Sequence, residues 1–300
     1  MSAASRPSEH LTVPHLLLAL AVMVVWGSNF VVIRYALEDL PPLTLAALRF
    51  AAVFVPAALF VRRPQAAWRN LAAYGILIGA GQFGALFIAM RSEITPGLAS
   101  LLMQAQVFFT IGLSMALHGE RVRRYQVAAL LLAVAGVGVI LAHTDGSVTP
   151  LGLALVAFAS FSWASGNIVQ RSAGRVDMLG YVVWSSVFAV PPLLALALLV
   201  DGPTAMASGI ARAGWMTWSA VAWQAVGNAM FGYGVWGWLL ARYPAASVAP
   251  LSLLVPVFGM ASSAWLLGEP MQGWKLGAAA LVMAGLGVGV LWPRWTGRSR

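Results

Sequence analysis

Long apolar runs, each separated from the next by a short polar stretch, dominate the chain from end to end. A helix needs about 20 apolar residues to cross the hydrocarbon core of a membrane. The runs near this length predict ten transmembrane spans, namely 13–33, 44–61, 70–90, 95–117, 125–142, 150–170, 178–200, 215–240, 245–267 and 274–292. The longest connection, 201–214, is expected to hold a short interfacial helix. The pattern therefore predicts an all-α membrane protein without a soluble domain.

The composition supports this prediction and excludes other classes. Of the 300 residues, 60% are hydrophobic and 9% are charged, whereas about a quarter of the residues in a soluble domain are charged. The chain has no cysteine, so a disulfide framework and a thiolate site are excluded. The net charge of +9 comes from basic residues in short loops, which indicates membrane topology rather than nucleic-acid binding. The expected surroundings are a lipid bilayer, with no nucleic acid as a partner.

The distribution of charge predicts the orientation. If the N-terminus is cytoplasmic, the inner loops and tails contain a large group of arginines: Arg6, Arg62, Arg63, Arg69, Arg121, Arg123, Arg124, Arg171, Arg175, Arg242, Arg294, Arg298 and Arg300. The outer loops contain few basic residues and several acids, namely Arg34, Arg91, Arg212 and Lys275 with Glu38, Asp39, Glu93, Asp145, Asp201 and Glu269. Cytoplasmic loops of membrane proteins are enriched in Lys and Arg. Both terminal tails, 1–12 and 293–300, are therefore expected in the cytoplasm.

Two stretches of the chain repeat each other. Residues 113–139 and 262–288 share an apolar helix, a Gly-Glu turn and a Gly-rich apolar helix. The copies lie five spans apart, so Glu120 and Glu269 are expected on opposite sides of the membrane. Two further matches agree: Trp26 to Arg34 aligns with Trp163 to Arg171, and Phe83-Gly84 aligns with Phe231-Gly232. The chain is therefore predicted to be a 5+5 inverted repeat, with halves 13–142 and 150–292, an arrangement common in transporters.

Several motifs carry a family resemblance over essentially the whole chain. They are Trp26-Gly-Ser-Asn-Phe30, Pro41-Pro42 followed by Leu48-Arg49-Phe50, Gly119-Glu120, Phe161-Ser-Trp-Ala-Ser-Gly-Asn167 and Ala249-Pro-Leu-Ser-Leu-Leu-Val-Pro256. With these motifs the chain resembles the drug/metabolite transporter superfamily, in its ten-helix branch with two EamA-type domains. Within that branch it is similar to bacterial exporters of cysteine and O-acetylserine, and exporters of aromatic amino acids belong to the same superfamily. The resemblance implies efflux of amino acids or similar small metabolites from the bacterial cytoplasm.

Uncharged polar residues at mid-span are the predicted substrate ligands. They are Asn29, Gln82, Gln104, Gln106, Asn167, Gln224, Asn228 and Ser252. Amide groups can bond both the carboxylate and the ammonium of a zwitterion. Gln104 and Gln106 are about 200° apart on a regular helix, so one of them at most is expected to face a given cavity. The alternative for each amide is an interhelical hydrogen bond, worth roughly 0.6 kcal/mol.

Aromatic and proline residues complete the candidate set. Trp26 and Trp163 occupy equivalent positions in the two halves, away from the interfaces where tryptophan usually collects. Their expected role is to cover the substrate's side chain or attract its ammonium group, with core packing as the alternative. Further candidates lining the site are Phe83, Met103, Tyr233 and Trp236. Pro250 and Pro256 interrupt the ninth span and are predicted to be hinges, with static kinks as the alternative.

No buried acid is expected to drive transport, and no ionisable residue is predicted near the centre of a span. Arg49 is the deepest and is expected to bond helix-end carbonyls, with substrate contact as the alternative. Glu120 and Glu269 are expected to fix turns. The four histidines offer no ligand spacing, so neither a metal nor another cofactor is expected. Because no membrane-embedded carboxylate is predicted, the expected carrier is a facilitator or only weakly coupled.

These observations favour an inner-membrane exporter that works by alternating access as a monomer, with a small-molecule substrate bound between the two halves. A proton-coupled multidrug or metabolite efflux pump is the main alternative. An intramembrane enzyme would need a paired acid, a metal or a nucleophile at membrane depth, and no such group is apparent in the sequence. A nonselective channel fits the inverted halves less well than a carrier does.

Overall fold

The computed structural model describes residues 11–118, 124–143, 146–243 and 245–295. These residues are helical apart from short connections, and they contain only one isolated β-bridge, between Ile94 and Val148. The long helical segments, some of them including π or 3₁₀ turns, are α1 Val13–Asp39, α2 Pro42–Ala57, α3 Trp68–Ser92, α4 96–118, α5 Arg124–Leu141, α6 Pro150–Ser172, α7 Met178–Asp201, α8 215–242, α9 245–267 and α10 Gly273–Trp295. The prediction of an all-α protein is confirmed for these residues.

Each predicted span overlaps one of these segments, and the boundaries differ most in α1 and α2. Helix α1 continues six residues beyond its predicted end, to Asp39, and α2 begins at Pro42 and ends at Ala57 rather than spanning 44–61. Proline suits the first turn of a helix because its missing N–H would be unpaired there, and Pro42 starts α2 in this way. The connection 201–214 contains a short helix, Pro203–Arg212.

Local side-chain bonds fix several helix starts. Thr149 precedes α6, and its hydroxyl accepts a hydrogen bond from the Gly152 N–H at 3.0 Å. Asp177 precedes α7, and its carboxylate accepts from the Gly180 N–H at 2.6 Å. Such caps pair backbone donors that a helix start leaves free. Gly268 ends α9 with a positive φ of 65°, a conformation that glycine adopts without strain.

Helices α5 and α10 pack closely through two glycines. A methyl group on Gly136 of α5 would lie 2.7 Å from Val282 Cγ2 and 2.9 Å from the Ala278 carbonyl oxygen of α10. A methyl group on Gly285 of α10 would lie 2.5 Å from the Ala129 carbonyl oxygen of α5. Small residues let helix backbones approach in this way. The contact is reciprocal, because each helix presents its glycine to the backbone of the other.

The outside of the bundle is apolar. Trp265 and Phe60 are each 84% exposed, and many other large apolar side chains are exposed on the long helices. In the part of the chain that the structure describes, seven helices are long and apolar enough to cross a membrane, and α2 and 273–289 form shorter apolar helices. Exposed apolar surface of this extent requires lipid rather than water. The chain is therefore a multi-pass membrane protein.

Candidate functional site: a central cavity between the helices

Departures from regular α-helix occur in the middle of four long segments. Helices α3 and α8 contain π-helical stretches, Leu77–Gly84 and Trp223–Phe231. Helices α4 and α9 contain 3₁₀ stretches, Met103–Ala105 and Ala249–Leu253. Isolated π-helical turns often mark functional sites because they change the direction of side chains locally. Five of the predicted binding amides and Ser252 lie in or directly beside these stretches of the chain, namely Gln82, Gln104, Gln106, Gln224, Asn228 and Ser252.

A cavity of about 320 Å³ lies between the helices beside these stretches. Its wall combines amide side chains with aromatic and aliphatic ones, as is usual for small-molecule sites. The amides are Asn29, Gln82, Gln104, Gln106, Asn167, Gln170 and Asn228; the aromatic residues are Trp26, Phe30, Tyr74, Phe83, Trp163, Tyr233 and Trp236; the remaining residues are Ile33, Leu86, Ser100, Met103, Met178, Leu240, Ser252 and Val255. No acidic or basic residue lines the cavity in the part of the chain that the structure describes.

The cavity brings together the residues that the sequence proposed, with one exception. Trp26, Asn29, Gln82, Phe83, Met103, Gln104, Trp163, Asn167, Asn228 and Ser252 all line it. Gln224 does not: it lies about one turn before Asn228 and is fully buried in the helix bundle. Both atoms of its amide group lack a hydrogen-bond partner among the described residues. Whether the lining residues bind a substrate stays a prediction.

Gln104 and Gln106 both line the cavity, so the expectation that only one would do so is wrong. The 200° separation assumed a regular α-helix, whereas Met103–Ala105 forms a 3₁₀ turn immediately before Gln106. The Asn167 side-chain N–H donates to Gln106 Oε1 at 3.0 Å. This bond joins α4 to α6 at the cavity wall. It is an interhelical hydrogen bond of the kind expected as the alternative to substrate binding for each amide.

Trp26 forms part of an aromatic wall. Its indole N–H donates to the Asn228 carbonyl oxygen at 3.1 Å, and its ring lies 5.4 Å from that of Tyr233 and 5.5 Å from that of Trp236. A methyl group on Gly232 would lie 2.3 Å from Trp26 Nε1. The indole therefore occupies the space that a side chain at position 232 would need, so glycine at this position allows the indole to lie where it does.

Two of the cavity amides present unused hydrogen-bond acceptors. Asn29 Oδ1 and Gln82 Oε1 are buried, and neither has a hydrogen-bond partner among the described residues. A buried polar atom without a partner costs roughly 1–3 kcal/mol. Because both side chains line the cavity, a bound molecule with N–H donors would satisfy them. An ammonium group supplies three such donors.

Arg49 contradicts two expectations. It lies in the middle of α2, because that helix starts and ends earlier than predicted, so an ionisable residue does occur near the centre of a segment. It is 2% exposed, and its guanidinium donates to Asn228 Oδ1 at 3.0 Å rather than to a helix-end carbonyl. The guanidinium also lies over the Phe83 ring, 3.5 Å from the ring centre. The predicted bounds of the second span, 44–61, placed Arg49 nearer the end of the helix than it is.

Glu269 lies in the connection between α9 and α10, where the sequence predicts a turn-fixing role, whereas Lys275, predicted in an outer loop, lies within α10. Lys275 is completely buried, and its ammonium lies 3.3 Å from Glu269 Oε1. The Glu269 carboxylate further accepts from the Thr95 hydroxyl at 2.5 Å, the Gly97 N–H at 3.1 Å and the Ser263 hydroxyl. A buried carboxylate therefore exists, but it joins the start of α4 to the turn between α9 and α10. The equivalent turn residue, Glu120, lies outside the described residues.

The two predicted hinge prolines lie in different surroundings. Pro250 belongs to the 3₁₀ stretch beside the cavity, and Pro256 is buried within Leu254–Leu267. No group of three or more His, Cys, Asp or Glu that could hold a metal occurs in the described ranges. A hinge motion stays a prediction.

A bundle of apolar helices around a central cavity lined by amide and aromatic side chains is the architecture of a membrane carrier for small solutes. Comparison with known proteins agrees with this class. A model of the EamA-like transporter family matches residues 13–142 and again residues 150–290. The chain belongs to this family, and it is accordingly a transporter and not an enzyme.

Individual relatives extend this comparison. A probable amino-acid metabolite efflux pump of Salmonella typhimurium is 43% identical over 279 residues, which cover 91% of this chain and 93% of the relative. The protein of the same description from Escherichia coli is 42% identical over 284 residues, covering 93% and 95%. A probable terminal-alkyne amino-acid exporter of Streptantibioticus cattleyicolor is 28% identical over 278 residues, covering 88% and 89%. A solved crystal structure with 22% identity superimposes with a TM-score of 0.63 over 94% of this chain and 98% of that one, which supports the fold alone.

Proposed function

We propose that this protein exports amino acids and related small metabolites across the bacterial inner membrane by alternating access. The observation that carries the proposal is the central cavity, in which neutral amides and tryptophans surround the unpartnered acceptors of Asn29 and Gln82. These acceptors suit an ammonium group, and the aromatic wall suits a variable side chain. The family and the relatives described as amino-acid metabolite efflux pumps support the same substrate class.

The proposed architecture is ten spans arranged as a 5+5 inverted repeat, with halves 13–142 and 150–292. Two features support it. Two of the three π-helical stretches among the described residues occur in the equivalent segments α3 and α8, the third being Ala197–Asp201 at the end of α7. The 3₁₀ stretches occur in the equivalent segments α4 and α9. Gly136 and Gly285, which the repeat aligns, make reciprocal contacts between α5 and α10. Inverted halves can exchange which side of the membrane is open.

The proposed orientation has both tails, 1–12 and 293–300, in the cytoplasm. The cavity extends to Gln170 and Leu240, which lie near the ends of α6 and α8 that this orientation places inside. Leu240 is 38% exposed, whereas Ile33, at the opposite end of the cavity, is 1% exposed. In this proposal the structure represents the state open to the cytoplasm, ready to receive a substrate for export. The protein works as a monomer in the lipid bilayer.

The proposed coupling is weak or absent. Glu269 is buried, but hydrogen bonds and Lys275 already occupy it, and it lies away from the cavity. A cavity without a lining carboxylate offers no proton exchange with a bound substrate. Proton-coupled efflux is distinguished by imposing a pH gradient on liposomes that contain the protein: the proposal expects little change in the transport rate, and a strong dependence would favour the proton-coupled alternative.

Counterflow in liposomes containing purified protein, screened over the twenty amino acids, tests the substrate class. Saturable exchange of at least one amino acid is expected, and its absence for all of them would refute the proposal. Gln82→Ala should lower counterflow about tenfold, the effect of one lost buried polar contact of about 1.4 kcal/mol. Trp163→Ala should lower it several-fold or more, because it removes an aromatic face that can attract an ammonium group by roughly 0.5–2 kcal/mol. Gln224→Ala is the matched control, because it removes a buried amide from the other π-helical stretch without touching the cavity.

A further inference from the structure

Arg49 is a buried cation without an acidic partner. Among the described residues the one ion pair between side chains is Lys275 with Glu269, so Arg49 has no carboxylate within bonding distance there. Its Nε and Nη1 atoms are buried and have no hydrogen-bond partner among the same residues. A charge at membrane depth is costly unless it is paired, and it usually serves a function. The Phe83 ring, whose face the guanidinium covers, compensates this cost only in part.

The guanidinium lies directly behind the wall of the central cavity. A small cavity of about 10 Å³ adjoins Arg49, and Tyr74, Phe83 and Tyr233 line both this space and the central cavity. A volume of this size holds about one water molecule, which is also the size of one carboxylate oxygen. Asn228 lines the central cavity and at the same time accepts the hydrogen bond from Arg49. Asn228 and Phe83 therefore contact the cation and also line the space proposed to hold the substrate.

Both of these residues belong to the irregular stretches. Phe83 lies in the π-helical stretch of α3, and Asn228 lies in that of α8. Such stretches recur at functional sites. The neutral amide oxygen of Asn228 meanwhile occupies the place that a carboxylate oxygen would take.

We propose that Arg49 recognises the carboxylate of the transported amino acid, which displaces Asn228 Oδ1 and bonds the free guanidinium nitrogens. Arginine is suited to this role because its planar fork binds carboxylates through two parallel bonds. In this arrangement Asn29 and Gln82 receive the ammonium group, so the two charged ends of the substrate are held by different helices. The inference rests on the proposed function, and it narrows the substrate class to solutes with a free carboxylate.

The test measures the stabilisation of the purified protein in detergent by added ligands, as the dependence of its thermal midpoint on ligand concentration. Each of the twenty amino acids is compared with its carboxamide, which keeps the side chain and the ammonium but lacks the carboxylate. The free acid is expected to bind at least about tenfold more tightly, the effect of one hydrogen bond to a charged group. Equal binding of acid and carboxamide would overturn the inference while leaving the proposed function intact. If none of the twenty amino acids binds, either as the free acid or as the carboxamide, both the inference and the proposed function are overturned.

Variants add a second measurement. Arg49→Gln should bind the acid and the carboxamide equally, and a preserved preference for the acid would contradict the inference. Because removing a buried cation can prevent folding, Asn228→Asp is the companion variant. It places a permanent carboxylate against Arg49, so it should fold and should lose at least tenfold in affinity for the acid. Unchanged affinity in a folded Asn228→Asp protein would overturn the inference. Arg91→Gln, an exposed arginine at the end of α3, is the control and should behave as the wild type does.

Discussion

Replacing Glu269 and replacing Lys275 should have unequal effects, although the two residues form one ion pair. Glu269→Gln leaves the fully buried Lys275 ammonium without its carboxylate, because Glu269 is the one hydrogen-bonding partner that the structure gives it. Breaking a buried pair in this way costs about 3–5 kcal/mol. Lys275→Met leaves a carboxylate that still accepts from Thr95, Gly97 and Ser263. Its cost should approach that of one charge-assisted bond, about 1.5–3 kcal/mol.

Thermal unfolding of the purified variants in detergent measures this difference. A loss of 1 kcal/mol lowers the midpoint by about 2–4 °C in a chain of a few hundred residues. Glu269→Gln should therefore lower it by roughly 6–20 °C and Lys275→Met by about half as much. The double variant Glu269→Gln/Lys275→Met should recover most of the loss, because it leaves no unpaired charge. Equal losses for the two single variants, or a double variant as unstable as their sum, would refute the reasoning.

Three further predictions concern the packing and the cavity. Gly136→Ala should destabilise the protein by about 1–3 kcal/mol through overpacking against α10, whereas Gly138→Ala should be neutral because nothing lies within 4 Å of a methyl group there. The thermal unfolding midpoints of the two variants measure this difference, and equal midpoints would count against the close contact between α5 and α10. Gly232→Ala should displace the Trp26 indole and lower counterflow, while Gly234→Ala, where the nearest atom is 3.9 Å away, should not, and equal rates would exclude a role for the position of Trp26. Pro250→Ala should slow counterflow without changing ligand affinity, as expected of a hinge; an unchanged rate would identify Pro250 as a static kink.

The apolar pattern was sufficient to predict the helical segments because membrane helices leave a strong signal. The predicted helix ends are wrong where polar residues or prolines continue or start a helix beyond the apolar run. The polar end of α1, up to Asp39, reads as a loop although it is helical. Pro42 starts α2 earlier than hydrophobicity suggests, and this shift moves Arg49 from the end of a span to its middle. Its depth could have been inferred from Pro42 at a first helical position and Pro56 near the end of the segment.

Residue type and depth in a span predict nearly all of the cavity amides. They do not distinguish Gln224 from Gln82, because both are amides in equivalent segments. The prediction for Gln104 and Gln106 is wrong because it rests on a regular α-helix, whereas Met103–Ala105 forms a 3₁₀ turn. The pairing of Lys275 with Glu269 depends on how the turn between α9 and α10 folds against the start of α4, which is a tertiary contact that no local pattern encodes.

The π-helical stretches have a consequence for how this chain tolerates changes in its length. A π turn bonds residues five apart instead of four, so each stretch accommodates a residue that a regular helix would not. Deleting one residue from Leu77–Gly84 would let the helix become regular, and the side chains from Ala85 to Ser92 would keep nearly their present direction relative to Trp68–Ile76, because the tighter turn absorbs the loss. The same deletion within the regular helix Trp68–Ile76 would instead turn every side chain on one side of it by about 100° relative to the other side, and would exchange cavity-facing and lipid-facing positions. A single-residue deletion should therefore be far better tolerated inside the π-helical stretch than beside it, and an alignment with a relative that lacks the stretch should contain a one-residue gap within it.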